Sequence, residues 1–194
     1  MEFEIHITVN TNQIDLFKET CVQAGIKPIV IDLQNSDGDS VMMDVMTSSK
    51  HKGLMWQTEA DRIKQILIEN SFTPTRIKVE IPPFYEPVEN GYYESHIRVI
   101  TQVTRIQELR TIAKSLNSHL SKNVFKKLSD DVVYMMITAR NDQRSKFNKN
   151  TTLLQRALDS SNFKYDKLET EYVIYDSCRA HDDKWINSLS PSKL

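Results

Sequence analysis

The feature that most constrains this chain is that it is written twice. Phe3-Glu4-Ile5-His6-Ile7 returns 90 residues later as Tyr93-Glu94-Ser95-His96-Ile97. Val45-Met46-Thr47 returns as Met136-Ile137-Thr138 at an offset of 91. Trp56, Ile63, Leu67 and Phe72 match Phe147, Leu154, Leu158 and Phe163 at the same offset. Arg76-Ile77-Lys78-Val79-Glu80 matches Lys167-Leu168-Glu169-Thr170-Glu171, again at 91. Landmarks that keep their order while the offset barely drifts identify a duplicated module. The 194 residues therefore divide into a first repeat at 1–87, a second at 88–177 and a tail at 178–194, and the repeats can also combine into one pseudo-symmetric domain.

Each copy reads strand, helix, strand, strand, helix, strand. In residues 2–9, Glu2, Glu4, His6 and Thr8 alternate with Phe3, Ile5, Ile7 and Val9, a period of two with one apolar and one polar face. A helix follows from about Asn12 to Ala24, with Ile14, Phe17, Cys21 and Val22 in its stripe and Gly25 as a stop. Pro28 opens a strand through Leu33, and Asn35 to Asp39 is a turn cluster. A third strand runs from Val41 to Thr47. Trp56, Ala60, Ile63 and Leu67 mark the second helix, and Arg76 to Ile81 the last strand before Pro82-Pro83. In the second copy, Tyr92–Thr101 is the first strand and Thr104-Arg105-Ile106-Gln107 matches a capping box. The strand near Leu120–Phe125 is weak, Val132–Thr138 is clear, and Leu168–Tyr175 closes the repeat. Trp185 and Ile186 are the residues through which the tail would dock. The order βαββαβ predicts an α+β fold: a tandem ferredoxin-like duplication of two antiparallel sheets with helices on the outer faces.

In that topology the first strand lies between the third and fourth. In copy one this brings Glu4 and His6 toward Thr47, Ser48, Lys50 and Glu80, with Arg76 and Lys78 on the same polar face. In copy two it brings Glu94 and His96 toward Thr138, Arg140 and Glu171, with Arg98 beside them. Glu4, His6, Glu94 and His96 are the candidate acid–base residues, since imidazole and carboxylate exchange protons near neutral pH. Thr47, Ser48, Lys50, Arg76, Lys78, Arg98 and Arg140 are the candidate ligand-binding residues. The Ser/Thr and Lys loop before the second helix would offer phosphate a helix N-terminus. Glu80 and Glu171, with the imidazoles, suit a divalent metal ion as cofactor. The bland alternative is that polar residues on the open face of an antiparallel sheet need no further role.

Composition narrows the partners. A formal net charge of −1 gives no global field toward nucleic acid or an acidic membrane, and no basic stripe with interleaved aromatics is visible. No apolar run approaches the ~20 residues of a transmembrane helix, and the first residues lack the basic and apolar regions of a signal peptide. A cytoplasmic location is expected. Cys21 and Cys178 form no CxxC pair and are expected as reduced thiols. Cys178, His181, Asp182 and Asp183 lack the distant partners a metal or nucleophile site needs. Tyr85, Tyr92 and Tyr93 are expected to pack at the junction of the repeats.

Glu2-Phe3-Glu4-Ile5-His6 resembles the ExExK strand of CYTH-type triphosphate tunnel enzymes, which bind a metal-bound triphosphate in a polar barrel; His6 stands at the lysine position. His6-Ile7-Thr8-Val9 resembles the H-x-T-x motif of 2H phosphoesterases, whose second copy here reads His96-Ile97-Arg98-Val99, without the threonine. Tyr93-Glu94-Ser95-His96 and Glu169 to Ser177 resemble strands of a family of uncharacterised bacterial proteins of similar length, to which no activity attaches. Together these lead to an expected phosphate-bearing small-molecule ligand, nucleotide or polyphosphate, with hydrolysis as an extension by a metal-dependent route. The competing expectation is a non-catalytic protein–protein interaction module that uses exposed sheet surface.

Overall fold

The computed structural model describes residues 1–34, 40–85 and 87–181. The turn cluster at 35–39, and Asp182, Asp183, Trp185 and Ile186, lie outside the described residues. The elements are β1 (Glu2–Val9), α1 (Ile14–Gln23), β2 (Lys27–Gln34), β3 (Ser40–Lys52), α2 (Trp56–Glu69), β4 (Pro74–Ile81), β5 (Tyr92–Gln102), α3 (Ile106–Ser115), β6 (His119–Lys127), β7 (Val132–Asn141), α4 (Arg144–Ser160) and β8 (Lys164–Asp176). No helix among the described residues is long and apolar enough to cross a membrane.

The expected pair of open sheets is corrected by the strand order. The eight strands hydrogen-bond as a closed antiparallel barrel, β1-β3-β2-β6-β7-β5-β8-β4, accompanied by four helices. The physical reason lies in two strands that run past what a split βαβ unit needs. The second half of β2 pairs with β6, Ile31 facing Asn123 and Leu33 facing Ser121. The end of β8 pairs with β4, Val79 facing Tyr175. Closure satisfies edge strands that would otherwise present unpaired backbone groups.

By internal packing the chain forms two compact units, Met1–Val30 with Asp44–Gly91 and Tyr172–His181, and Ile31–Met43 with Tyr92–Glu171. In the first unit, Phe3, Ile5, Ile7 and Val9 of β1 are buried along with Phe17 and Cys21 of α1 and Ala60, Ile63 and Leu67 of α2. Phe17 meets Phe72 edge-to-face with centroids 5.5 Å apart. In the second unit, Ile97, Val99, Val133, Met135, Ile137 and Ala139 of β5 and β7 pack with Leu109, Ala113, Leu154, Leu158 and Phe163. Each helix is followed by a residue of left-handed backbone: Gly25 (φ 69°), Ser71 (φ 66°), Asn117 (φ 48°) and Asn162 (φ 55°). The stop expected at Gly25 has a counterpart in every helix.

Two local expectations change. Ser48 to Lys52, expected as a loop before the second helix, continues β3 and pairs with β1, Glu2 facing Lys52 and Glu4 facing Lys50. The phosphate-binding loop is therefore a strand. The capping box at Thr104 does not form; Val103–Arg105 is a 3₁₀ turn, and α3 starts at Ile106 with no side-chain cap bond. Arg105 takes over the junction. It pairs with Glu108 at 2.9 Å, donates to the Ser161 carbonyl at 2.8 Å and lies 4.0 Å above the Phe163 ring.

The Tyr172 hydroxyl accepts from the Val88 N–H and donates to the Val88 carbonyl, both at 3.0 Å, and so clamps the segment that leaves β4. A Cβ on Gly91 would overlap that hydroxyl and lie 2.9 Å from the Val173 carbonyl. Gly91→Ala is expected to destabilise by about 1–3 kcal/mol in urea unfolding, the cost of forcing extra volume into a filled site. Burial pushes the Cys21 thiol up to about 12. In the native protein a thiol reagent should therefore modify Cys178, which is partly exposed, and reach Cys21 only after denaturation.

Candidate functional site

In each unit a strand face that is buried to half-buried holds a histidine beside two glutamates. In the first unit, β1 lies between β3 and β4, and its register with β4 sets Glu4 directly opposite Glu80, His6 opposite Lys78 and Thr8 opposite Arg76. Like charges facing across a strand pair repel. Three basic side chains answer them. His6 Nε2 lies 3.0 Å from Glu80 Oε2 and 3.8 Å from Glu4 Oε1. Lys78 Nζ lies 2.6 Å from the other Glu80 oxygen, and Lys50 Nζ 3.6 Å from Glu4 Oε2. Ser48 Oγ donates to Glu4 at 2.7 Å.

His6 is oriented through its second nitrogen. Nδ1 lies 3.1 Å from the Thr47 carbonyl, and the Thr47 hydroxyl accepts the Ile7 N–H at 3.1 Å. A carbonyl can only accept, so Nδ1 carries a proton. Nε2 faces the Glu80 carboxylate, so contacts at both nitrogens fix the ring orientation.

The second unit repeats the arrangement more loosely. His96 Nε2 lies 3.6 Å from Glu94 Oε2 and 3.6 Å from Glu171 Oε2, and Nδ1 is 3.0 Å from the Thr138 hydroxyl. Thr138 stands directly opposite His96, and Arg140 opposite Glu94. The Arg140 guanidinium stacks over the Tyr92 ring at 3.8 Å. Tyr92 is thus buried beneath an arginine of its own unit, and Tyr93 stacks on Phe147 at 5.4 Å. Each set brings one imidazole and two carboxylates together.

The structure gathers Glu4, His6, Thr47, Ser48, Lys50, Lys78 and Glu80 in one unit, and Glu94, His96, Thr138, Arg140 and Glu171 in the other. It diverts two of the expected ligand-binding arginines. Arg76 makes a buried two-pronged pair with Asp176 at 2.9 and 2.6 Å. Arg98 makes a more exposed one with Asp166, 2.7 Å on each prong. Asp176 and Asp166 were not among the sequence candidates; Asp176 lies one residue past the expected end of β8, where it faces Lys78 in the register.

His119 is the other residue the repeat did not reveal. It begins β6 and faces Thr138 from the side opposite to His96. Positions 90 and 91 residues earlier hold Ile29 and Pro28, so duplication gives no signal for it. Desolvation, with Arg140 beside it, depresses the His119 imidazole to about 4, against the opposing influence of Glu94.

No family model and no curated protein matches the chain. Among solved structures it is similar to the acetolactate synthase small subunit from Thermotoga maritima, at 12% identity over 91% of this chain and 96% of that one, with a TM-score of 0.31. It is also similar to a mutant chlorite dismutase from Candidatus Nitrospira defluvii, at 10% identity over 89% and 91%, with a TM-score of 0.29. A putative glycine cleavage system transcriptional repressor matches at 10% over 90% and 99%, with a TM-score of 0.33. Scores this low assign neither fold nor function, and the triphosphate-tunnel resemblance gains no support from them.

The two arginine pairs should separate in stability measurements. Asp176→Asn leaves Arg76 buried against a lost charge and is expected to cost about 3–5 kcal/mol. Asp166→Asn, at a more exposed pair, should cost under about 1 kcal/mol. His119 supplies a pH dependence. Its native pKa lies below the ordinary 6.5, so the unfolded chain takes up a proton that the native ring refuses. Stability from this group is complete above about pH 6.5 and falls as pH drops toward 4, by up to about 3 kcal/mol. Urea titrations of His119→Gln should show that part of the acid slope removed.

Proposed function

We propose that the protein binds a small polar ligand at its histidine–carboxylate clusters, and that a divalent cation, alone or chelated by a larger molecule, is the group they hold. One observation carries this reading: the same side-chain types, two carboxylates, an imidazole and a hydroxyl, are gathered on the polar face of each unit. Burying a carboxylate costs several kcal/mol unless it is paired, and a face that served packing alone would be apolar. In the second unit, two carboxylate oxygens stand 3.6 Å from one imidazole nitrogen.

A phosphate-bearing molecule fits this reading only as a metal chelate. Arg76, Arg98, Lys50 and Lys78 each face a carboxylate already, so bare phosphate would have to displace Asp176, Asp166, Glu4 or Glu80. Hydrolysis of such a chelate would add proton exchange at His6 or His96 with the flanking glutamates. The interaction-module alternative drew on exposed sheet surface and edges; the closed strand order removes the edges and leaves it the surface.

A thermal-shift screen of the full chain against divalent cations, nucleotides, pyrophosphate and triphosphate tests the reading. A bound cation at a hundred times its Kd should stabilise by about 2.7 kcal/mol, a rise of several degrees in Tm. The rise should disappear in the His6→Gln, His96→Gln double variant. No rise with any cation, or a rise that survives the double variant, contradicts it.

A further inference from the structure

We propose that α4 of one copy of this chain docks against α1 of a second copy, a basic helix face meeting an acidic one. The pairing is independent of the cation reading above.

The basic face is on α4, which carries Arg144, Lys146, Lys149 and Arg156 against a single acid, Asp159. At about 100° per residue, Lys146, Lys149, Leu153 and Arg156 fall within an arc of about 80°. Their spacing is the one with which a helix meets another helix along a seam. The three cations are exposed, and Leu153 is 38% exposed between them. None of the three has a hydrogen bond or ion pair with another described residue. The first turn of α4 holds no acidic side chain and Gln143 makes no side-chain cap bond, so Arg144 and Lys146 stand at the positive end of the helix dipole.

The acidic face is on α1. Asp15, Glu19 and Val22 fall within an arc of about 60°, and Lys18 borders it. Both acids are exposed and Val22 is 63% exposed. Neither carboxylate has a hydrogen bond or ion pair with another described residue. The two faces match when the helices run parallel. Glu19 and Val22 lie about 6 and 10.5 Å beyond Asp15, and Lys149 and Leu153 lie about 4.5 and 10.5 Å beyond Lys146. Asp15 then meets Lys146, Glu19 meets Lys149, and Val22 covers Leu153. Asp15 also brings negative charge to the start of α4. Arg156 reaches the carbonyl end of α1, whose last turn holds no basic residue.

Neither face is a by-product of the repeated fold. At the offset of 91, the first copy has Met55, Thr58, Arg62 and Gln65 where α4 has its stripe, and Arg62 is already bound to Glu59. Aligning the buried Phe17 and Cys21 with the buried Leu109 and Ala113 sets Gln107, Thr111 and Lys114 where α1 has Asp15, Glu19 and Val22. The acidic face belongs to the first copy and the basic face to the second. An anionic membrane would need more apolar surface on the stripe than Leu153 provides. A second copy brings the complementary helix itself, and because each chain carries one face of each kind the contact is head-to-tail. Exposed ion pairs are individually weak, so the association is weak and salt-dependent.

The test is sedimentation equilibrium of the full chain, in a concentration series that reaches about 1 mM. At about 0.01 M salt the apparent mass should rise with concentration, and the rise should vanish at about 1 M salt, where the Debye length is about 3 Å. Lys149→Glu and Glu19→Lys each set like charges face to face and should weaken the association at least about tenfold. Both changes in one chain should restore it to within about threefold of the parent protein. Lys64→Glu, the same charge change on the exposed side of α2, should match the parent. A parent chain that stays monomeric throughout overturns the pairing and leaves the basic face of α4 to an acidic helix of another protein. Single variants that associate like the parent, or a double variant as weak as the single ones, overturn it as well.

Discussion

The constraint on which the clusters depend is a pair of glutamates set face to face across antiparallel strands. Glu4 and Glu80 occupy opposite positions of β1 and β4, where repulsion and desolvation both oppose folding. The imidazole of His6 resolves this by bridging toward both, and Lys78 and Lys50 complete the balance. Because a period-two strand flips every side chain when it slips by one residue, the register that places His6 beside Glu80 is also the one that buries Phe3, Ile5 and Ile7. Core and cluster are therefore fixed by one alignment.

The copies use the same residues with different tension. In the first, direct ion pairs at 2.6 and 3.0 Å consume the carboxylates of Glu80. In the second, the contacts of His96 with its glutamates are both 3.6 Å. A duplicated module can keep one copy as a self-neutralising brace and let the other take a ligand.

Much of the cluster was legible because alternation and offset are local signals. Glu4 and His6 on one face of β1, and their recurrence at Glu94 and His96, follow from spacing alone; their meeting with Glu80 and Glu171 follows from the βαββαβ order. Closure of the strands was not legible. It depends on Ile31 to Leu33 reaching β6 and Tyr172 to Asp176 reaching β4, pairings made by backbone groups that carry no residue signature. Ser48 to Lys52 read as a loop because their composition is polar, yet one face of β3 keeps polar partners at that end, Glu4 for Lys50 and Glu2 for Lys52. Arg76 and Arg98 read as ligand-binding because their aspartates lie 100 and 68 residues away. His119 carries no repeat signal, because the first copy has Pro28 and Ile29 in its place.

On the proposed function, the histidines of the two clusters bind a cation rather than merely brace the strands. Two-dimensional ¹⁵N NMR of the imidazole nitrogens tests it most directly, during titration of the full chain with zinc. The account predicts that the ring resonances of His96 shift or leave the proton-coupled spectrum at one equivalent of zinc, ahead of any change at His51. Ring resonances of His6 and His96 that stay fixed while only His51 or His181 responds would contradict it.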